Sequence, residues 1–176
     1  VHIVKDSSKQ GNNYGLFGFQ TAVNIQTAIQ KTIDSLNNHF APICVSFQVC
    51  NFDFSENYFI DNYWYLNLAP KPTNFKQIEE METLYNAKNR INLYYLKNTS
   101  TGVYYVDDTI TNVNKGGIFL IDYLSTKTLI KAMGTYFGLS TTYNIPGELV
   151  NGSNASTKGD LIADTPADPN GLVTNC

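Results

Sequence analysis

The residues whose spacing suits chemistry lie in the stretch TKTLIKAMGTYFGLSTTYN, residues 126–144. One kind of zinc hydrolase carries the pattern HExxHxxGxxH on a helix: three histidines bind the metal, and the glutamate takes a proton from the metal-bound water. When the glycine of this pattern is set on Gly138, other residue types occupy the four chemical positions: Lys131, Thr135 and Thr141 replace the histidines, and Ala132 replaces the glutamate. The spacing of a zinc site is present, and its ligands are not.

The four replacement residues do not supply zinc chemistry. An ammonium group at position 131 repels a divalent cation, the hydroxyls of Thr135 and Thr141 are poor zinc ligands, and Ala132 accepts no proton. The two histidines, His2 and His39, lie outside this helix. We expect His2 to be a hydrogen-bonded strand residue and His39 to cap a helix end. The sequence predicts no zinc and no catalysis by this mechanism.

The sequence leaves three interpretations of Lys131 open. It forms an ion pair with Asp122 or Glu148, it extends into water, or it acts as a base or nucleophile in a remodelled site. The first two are favoured, because no serine or aspartate forms a recognisable catalytic arrangement with this lysine.

The segment GDLIADTPADPN, residues 159–170, concentrates oxygen-bearing side chains. Calcium takes six to eight oxygen ligands, so this segment is a candidate calcium site. Its candidate ligands are Asp160, Asp164, Thr165 and Asp168. A loop of Asx turns braced by Pro166 and Pro169 explains the same residues equally well.

Apolar periodicity predicts the elements that position these residues. Helices are predicted over residues 21–40, 75–87 and 126–138. Strands are predicted over residues 1–4, 43–52, 91–96 and 117–123. Ser125 or Thr126 caps the last helix, Gly138 ends it, and the strand before it is central in the sheet. The order of these elements predicts the fold class α/β (α+β), with two long helices packed on a mostly parallel sheet, in a single domain over residues 1–176.

The composition argues against several partners. A net charge of −3 and a pI near 5.2 leave no basic surface for nucleic acid, and no Lys/Arg run suits an anionic lipid surface. No apolar stretch approaches the roughly 18 residues of a membrane span. A surface built from Asn, Ser, Thr and Tyr favours an extracellular or cell-envelope location. Because Val1 begins inside a strand-like run, we expect an export signal to have preceded it.

The three cysteines do not form a complete set of pairs. Cys44 and Cys50 share one face of the predicted strand over 43–52, about 20 Å apart along it, so they are not expected to bond to each other. We expect the partner of Cys176 to be either one of these two cysteines or a residue elsewhere. With no CxxC pair, a cysteine zinc site is not expected.

Several stretches together resemble the pappalysin (cytophagalysin-like) branch of the metzincin metallopeptidases. The most specific are TLIKAMGTYFGL at 128–139, which lies on the family's TLxHExGHxxGL, and GDLIADTP at 159–166, which lies on GDxxxDTP. Weaker matches are VHIV at 1–4, DSLNNHF at 34–40, CVSF at 44–47 and INLYYL at 91–96. The resemblance covers nearly the whole chain.

This resemblance implies a metzincin-like zincin fold, in which a twisted mixed sheet is backed by two long helices. Its upper subdomain would cover residues 1–138, and residues 139–176 would begin a lower subdomain. The lower subdomain is reduced or truncated, because the family's methionine turn should follow GDLIADTP and the only methionines, Met81 and Met133, precede it. Relatives carry calcium near GDxxxDTP, which supports Asp164 and Thr165 as ligands.

The function implied is that of a non-catalytic metallopeptidase homologue. Such a protein is expected to be a secreted or surface binding module that uses the former substrate cleft for a peptide, protein or glycan. Two alternatives stay open: a hydrolase with a zinc-independent site involving Lys131, and a structural domain of a larger surface protein.

Overall fold

The computed structural model describes residues 1–3, 21–53, 75–95, 104–107, 116–120, 125–139, 149, 151, 153, 154 and 156–158. The chain forms two compact units, Val1–Tyr136 and Phe137–Cys176. In the second unit, the described residues near 154 form a turn: the Asn154 carbonyl accepts hydrogen bonds from the amides of Thr157 and Lys158. The Asn154 side chain also accepts from the Leu149 amide. All helices and strands named below belong to the first unit.

Helix α1, Ala22–Phe40, confirms the first predicted helix. Thr21 caps its start, because the Thr21 hydroxyl accepts a hydrogen bond from the Asn24 amide at 3.2 Å. One face of α1 is buried, as the apolar period requires; its core residues are Ile25, Ile29, Ile33 and Leu36.

Helices α2, Phe75–Tyr85, and α3, Thr126–Tyr136, also lie where the periodicity places them. The Ser125 hydroxyl caps α3 by accepting a hydrogen bond from the Thr128 amide at 3.2 Å. Gly138 has a φ of +87°, the left-handed conformation that glycine adopts without strain just beyond a helix end. Both predictions for the ends of this helix are confirmed.

The described sheet has four strands in the order β1–β2–β4–β3. They are β1 His2–Ile3, β2 Leu93–Tyr95, β3 Tyr104–Asp107 and β4 Gly117–Leu120. Strands β1, β2 and β4 run parallel, and β3 is antiparallel to β4. β4 is an inner strand, as predicted, whereas β3 was not anticipated from the sequence.

Gly117 allows β4 to approach β2 closely. A Cβ atom at this position would lie 3.0 Å from the Tyr94 ring and 3.3 Å from the Asn92 carbonyl oxygen. The Tyr94 ring is fully buried, so it has little room to move aside. Glycine at the start of β4 therefore keeps the two central strands in register.

The strand predicted over residues 43–52 is wrong. Ala41–Ile43 form a 3₁₀ turn, Cys44 has a positive φ of 58°, and Ile43 is 66% exposed. The expected alternation of burial does occur over residues 45–50, but without strand pairing. The physical reason is Asn37, whose side chain accepts a hydrogen bond from the Phe47 amide at 2.6 Å and donates one to the Phe47 carbonyl at 3.0 Å. An amide side chain thus takes the place of a neighbouring strand.

This extended segment joins the sheet only at its end. Asp53 forms an isolated parallel bridge with His2, and the Ile3 amide donates to the Asp53 carbonyl at 3.1 Å. Cys44 and Cys50 are exposed free thiols that do not bond to each other, although the predicted strand that was expected to separate them is not formed. Cys176 lies outside the described residues.

The helices and strands together form a mixed fold, broadly α/β as predicted. Helix α3 lies against α1 and against strands β3 and β4. Its buried residues include Leu129, Met133 and Tyr136, which form the predicted apolar face. In the described part of the chain, no helix is long and apolar enough to cross a membrane.

Candidate functional site

Three residues of α3 occupy positions of the zinc pattern, and each has a different environment. Lys131 is exposed to solvent. Ala132 is completely buried, so a methyl group fills the position of the general base within the core. The Thr135 hydroxyl donates a hydrogen bond to the Lys131 carbonyl at 3.1 Å, within the helix itself. Thr141 lies outside the described residues.

These surroundings do not assemble metal ligands along α3. Among the residues that the structure describes, no group of three or more histidine, cysteine, aspartate or glutamate side chains could hold a metal ion. The candidate calcium ligands, Asp160, Asp164, Thr165 and Asp168, fall outside the described ranges, and calcium binding stays a prediction. The same holds for the ion pair of Lys131, since Asp122 and Glu148 are also outside.

The two histidines have the structural surroundings expected of them. His39 lies in the last turn of α1, where its Nδ1–H donates a hydrogen bond to the Ser35 carbonyl at 2.8 Å. His2 lies on β1, buried, with its ring stacked on Tyr94 at a centroid distance of 4.4 Å. The helix-end histidine and the strand histidine are thereby confirmed as hydrogen-bonded structural residues.

A second constellation, which the sequence did not reveal, surrounds His2. Its Nε2 lies 3.0 Å from Oδ1 of Asn92, a buried residue just before β2. The backbone fixes the orientation of the Asn92 amide: Oδ1 accepts from the Ala87 amide at 2.9 Å, and Nδ2 donates to the carbonyls of Ala87 and Arg90. Because Oδ1 only accepts, His2 must carry its proton on Nε2, and its Nδ1 then bears a lone pair when the ring is neutral.

The charge state of His2 follows from its burial. Desolvation lowers the pKa of His2 from 6.5 to about 4, although the Asn92 hydrogen bond and the nearby Asp53 carboxylate act in the opposite direction. His2 Nδ1 lies 3.9 Å from Asp53 Oδ2. The pair therefore has a neutral imidazole at neutral pH, and the Val1 ammonium group is close enough to act on both His2 and Asp53.

Tyr94, whose ring stacks on His2, is itself fixed by hydrogen bonds. Its hydroxyl donates a hydrogen bond to Asn86 Oδ1 at 2.7 Å, and Asn86 Nδ2 donates to the Gly116 carbonyl at 2.9 Å. Burial, reinforced by the charges of Glu82 and Asp53, raises the pKa of Tyr94, so the phenol stays protonated. The chain of hydrogen bonds links the end of α2 to the turn before β4.

The His2 constellation borders a cavity of about 330 Å³, within the range of small-molecule sites. Side chains from α1, α3 and β2 form its apolar wall, namely Ile33, Met133 and Leu93. Polar lining residues include His2, Asp53 and Arg90. Sequence reasoning missed this cavity because its residues are up to 132 positions apart, between Val1 and Met133. The polar Asn92 at the start of an apolar strand was the available signal.

No protein-family model matches this chain, and no curated protein or solved structure does either.

Proposed function

We propose that this protein is a non-catalytic homologue of the pappalysin-type metallopeptidases that holds an extended polypeptide along the edge strand β3. The observation that carries the proposal is that α3, which lacks the zinc-binding residues of the pattern, lies beside β3, the antiparallel strand at the end of the described sheet. The spacing of the zinc pattern in residues 128–139 supports the family. The mixed sheet with helices on it suits the fold that this resemblance implies.

The residues of α3 do not supply the groups that peptide hydrolysis requires in this family. Peptide hydrolysis by zinc needs imidazole ligands and a carboxylate that faces the metal-bound water. Lys131 offers a cation, Thr135 uses its hydroxyl within the helix, and Ala132 is buried in the core. A glutamate at position 132 would have to enter a position with no solvent access.

The direction of the backbone groups of β3 supports this binding mode. The Ile118 amide donates to the Asn92 carbonyl at 2.8 Å, so Ile118 directs its backbone groups towards β2. Successive residues of a strand point their N–H and C=O groups to opposite sides, so Phe119 directs its own towards its partner Tyr105. Val106, the next residue of β3, then points its N–H and C=O away from β4. A terminal strand with such outward groups accepts another extended chain as an added strand.

The preferred ligand is thus an unstructured peptide, and the proposed location of the protein is extracellular or at the cell envelope. A protein partner that offers an extended segment uses the same edge. A glycan is the less favoured ligand, because main-chain pairing is specific to polypeptide. Calcium bound by Asp164 and neighbouring oxygen ligands would brace the second unit without taking part in binding.

The test selects binders from a library of unstructured peptides and measures their affinity by fluorescence anisotropy. Val106→Pro removes one outward N–H while leaving the ladder to β4 intact, and we expect it to weaken binding about fivefold, the value of one hydrogen bond. Val106→Ala, which keeps the N–H, is the matched control and should bind as the parent does. Equal binding by Val106→Pro and Val106→Ala would refute the edge-strand mode.

Mass spectrometry of the bound peptides, incubated with and without zinc, separates the alternatives. Intact peptides in both samples support a non-catalytic module. Cleavage that disappears in Lys131→Ala would instead establish the zinc-independent hydrolase. If no peptide binds, the role of a structural domain takes precedence.

A further inference from the structure

The cavity beside His2 lies in line with strand β1, away from the proposed peptide edge on β3. β1 has two parallel neighbours: β2 on one side and, through the bridge of His2 to Asp53, the extended segment 45–53 on the other. Both neighbours continue past Val1 in the amino-terminal direction, and residues 46–51 and 89–93 of them line the cavity. The cavity is therefore a slot between two chain segments, and its argument does not depend on the proposed function.

The outer wall of the slot directs backbone groups inwards. The Val1 amino group donates to the Asn51 carbonyl at 2.9 Å, and the Phe47 amide and carbonyl pair with the Asn37 side chain. Successive residues of an extended chain point their N–H and C=O groups to opposite sides, so Val49 points its own to the same side as these two residues. The Val49 carbonyl and the Asn51 amide accordingly face the slot.

The inner wall does the same from the start of β2. The Ile118 amide of β4 donates to the Asn92 carbonyl at 2.8 Å, so Asn92 faces β4. Its neighbours Ile91 and Leu93 point their N–H and C=O groups to the opposite side, towards β1 and the slot. In the parallel register of β1 with β2, the Leu93 amide and the Ile91 carbonyl are the groups that face the slot.

The floor between the two walls is apolar and rigid. Ile33 is 2% exposed, Leu93 4% and Met133 1%, and they come from three different elements that pack in the core. A strand in the slot alternates its side chains between the two sheet faces, so every second side chain reaches this floor. Burial of an aliphatic side chain there favours binding.

The charges of the lining favour an anion. Among the described residues that line the slot, the Val1 ammonium group and Arg90 are positive and the Asp53 carboxylate is negative, which leaves one net positive charge. Asp53 already acts on the Val1 amino group, so it needs no cation from a ligand. Arg90 is exposed at the rim, and its contact with the Asn89 carbonyl uses one of the five N–H donors of a guanidinium group.

We propose that this slot binds the carboxy-terminal end of an extended polypeptide, which continues the line of β1 and runs parallel to β2. The last residue donates its amide to the Ile91 carbonyl, and its carboxylate accepts from the Leu93 amide beside the Val1 ammonium group. The second-last residue pairs with the Val49 carbonyl and the Asn51 amide. It lies opposite Ile91, on the sheet face of Leu93, so its side chain packs on the apolar floor.

The length and the direction of the bound chain follow from the ends of the slot. β1 occupies the next position in this line, so the bound chain ends at Val1. Asn37 closes the other end at Phe47, about 13 Å from Asn51 along the segment, which leaves room for two or three residues. A chain in the opposite direction would bring its own ammonium group to Val1, where like charges repel.

The experiment titrates the whole chain with the tripeptide acetyl-Ser-Val-Ala and follows backbone amide chemical shifts by NMR. We expect saturable shifts of residues that line the slot. The same peptide with a carboxamide end should bind at least tenfold more weakly, because a hydrogen bond to a charged group is lost. A peptide with aspartate in place of valine should also bind at least tenfold more weakly, because a carboxylate cannot pack on the apolar floor.

Variants of the protein locate the site. Arg90→Gln should weaken the acid and leave the carboxamide unchanged. Lys31→Gln, which removes a positive charge from the exposed surface of α1, is the matched control and should bind the acid as the parent does. Val106→Pro should also bind the acid normally, which separates this site from the edge of β3.

A chain with Gly-Ser-Ala added before Val1 tests the path directly. The added residues follow the line of β1 into the slot, so binding of the tripeptide should be lost while the circular dichroism spectrum is unchanged. The proposal is overturned if the tripeptide causes no saturable shifts in the slot at about 20 mM, a ceiling set for millimolar affinity. It is also overturned if the carboxamide or N-acetylvaline amide binds as tightly as the acid, or if the lengthened chain binds with the parent's affinity.

Discussion

Acidification should destabilise this protein through His2. In the folded state burial lowers the pKa of His2 from its ordinary 6.5 to about 4. In the unfolded chain the imidazole is hydrated and titrates at its ordinary value. Between pH 6.5 and pH 4 the unfolded state therefore binds a proton that the folded state does not bind. The contribution of His2 to stability is complete above pH 6.5 and is lost as the pH falls towards 4.

The magnitude follows from the difference between the two pKa values. Each pKa unit corresponds to about 1.36 kcal/mol, so the loss between pH 7 and pH 4 is about 3 kcal/mol. That is a substantial part of the roughly 5–15 kcal/mol that stabilises a typical domain. His2 is 6% exposed, so solvent screening does not reduce the effect appreciably.

Urea denaturation followed by circular dichroism, at several pH values between 7 and 4, measures the effect. His2→Phe is the reference variant, because a phenyl ring retains the stacking on Tyr94 and does not titrate. Carboxylates elsewhere act on both proteins, so the difference between the two stability curves isolates His2. The advantage of the parent over His2→Phe should shrink by about 3 kcal/mol across this range. A constant difference would refute the assignment of His2 as a buried neutral imidazole.

Four further substitutions, one of them a control, test the local structure, each by urea denaturation. Asn92→Ala removes a buried side chain that bonds to His2 and to three backbone groups, and we expect a loss of about 2–4 kcal/mol; an unchanged midpoint would contradict the network. Gly138→Ala should cost about 1 kcal/mol, because its φ of +87° strains any residue with a Cβ although the space around it is open. Gly134→Ala, inside α3, is its control and should stabilise by about 0.5–1 kcal/mol. Thr21→Ala should cost about 1 kcal/mol through the lost cap of α1, and a neutral effect would argue against that hydrogen bond.

The helices were predictable because their signals are local. The apolar residues of α1 recur at helical spacing, the caps at Thr21 and Ser125 are short-range hydrogen bonds, and Gly138 has a conformation that few other residues adopt. Each signal lies within a few residues of the structure it determines. The zinc pattern is also local, so the residue types at its positions on α3 could be assigned from the sequence alone.

The errors arose where distant residues decide the structure. Residues 45–50 alternate like a strand, but the side chain of Asn37 pairs with Phe47 and replaces a strand neighbour. β3 has only four residues and is a strand because it pairs with β4. Local composition does not predict that pairing. The cavity was invisible for the same reason, since Asp53 and Asn92 reach His2 only through the order of the strands.

The parallel arrangement of β1 with β2 has a consequence for the order of folding. His2 pairs with Tyr94, so the first strand of the sheet waits until 92 more residues have been made. At a synthesis rate of about 5–20 residues per second, that delay is roughly 5–18 s, far longer than a helix needs to form. During this interval α1, with its cap and its own hydrogen bonds, can assemble alone, whereas β1 has only the isolated bridge to Asp53 and lacks its neighbouring strand β2. Nascent chains that end before Tyr94 should accordingly depend on a chaperone or the ribosome surface to shield that segment.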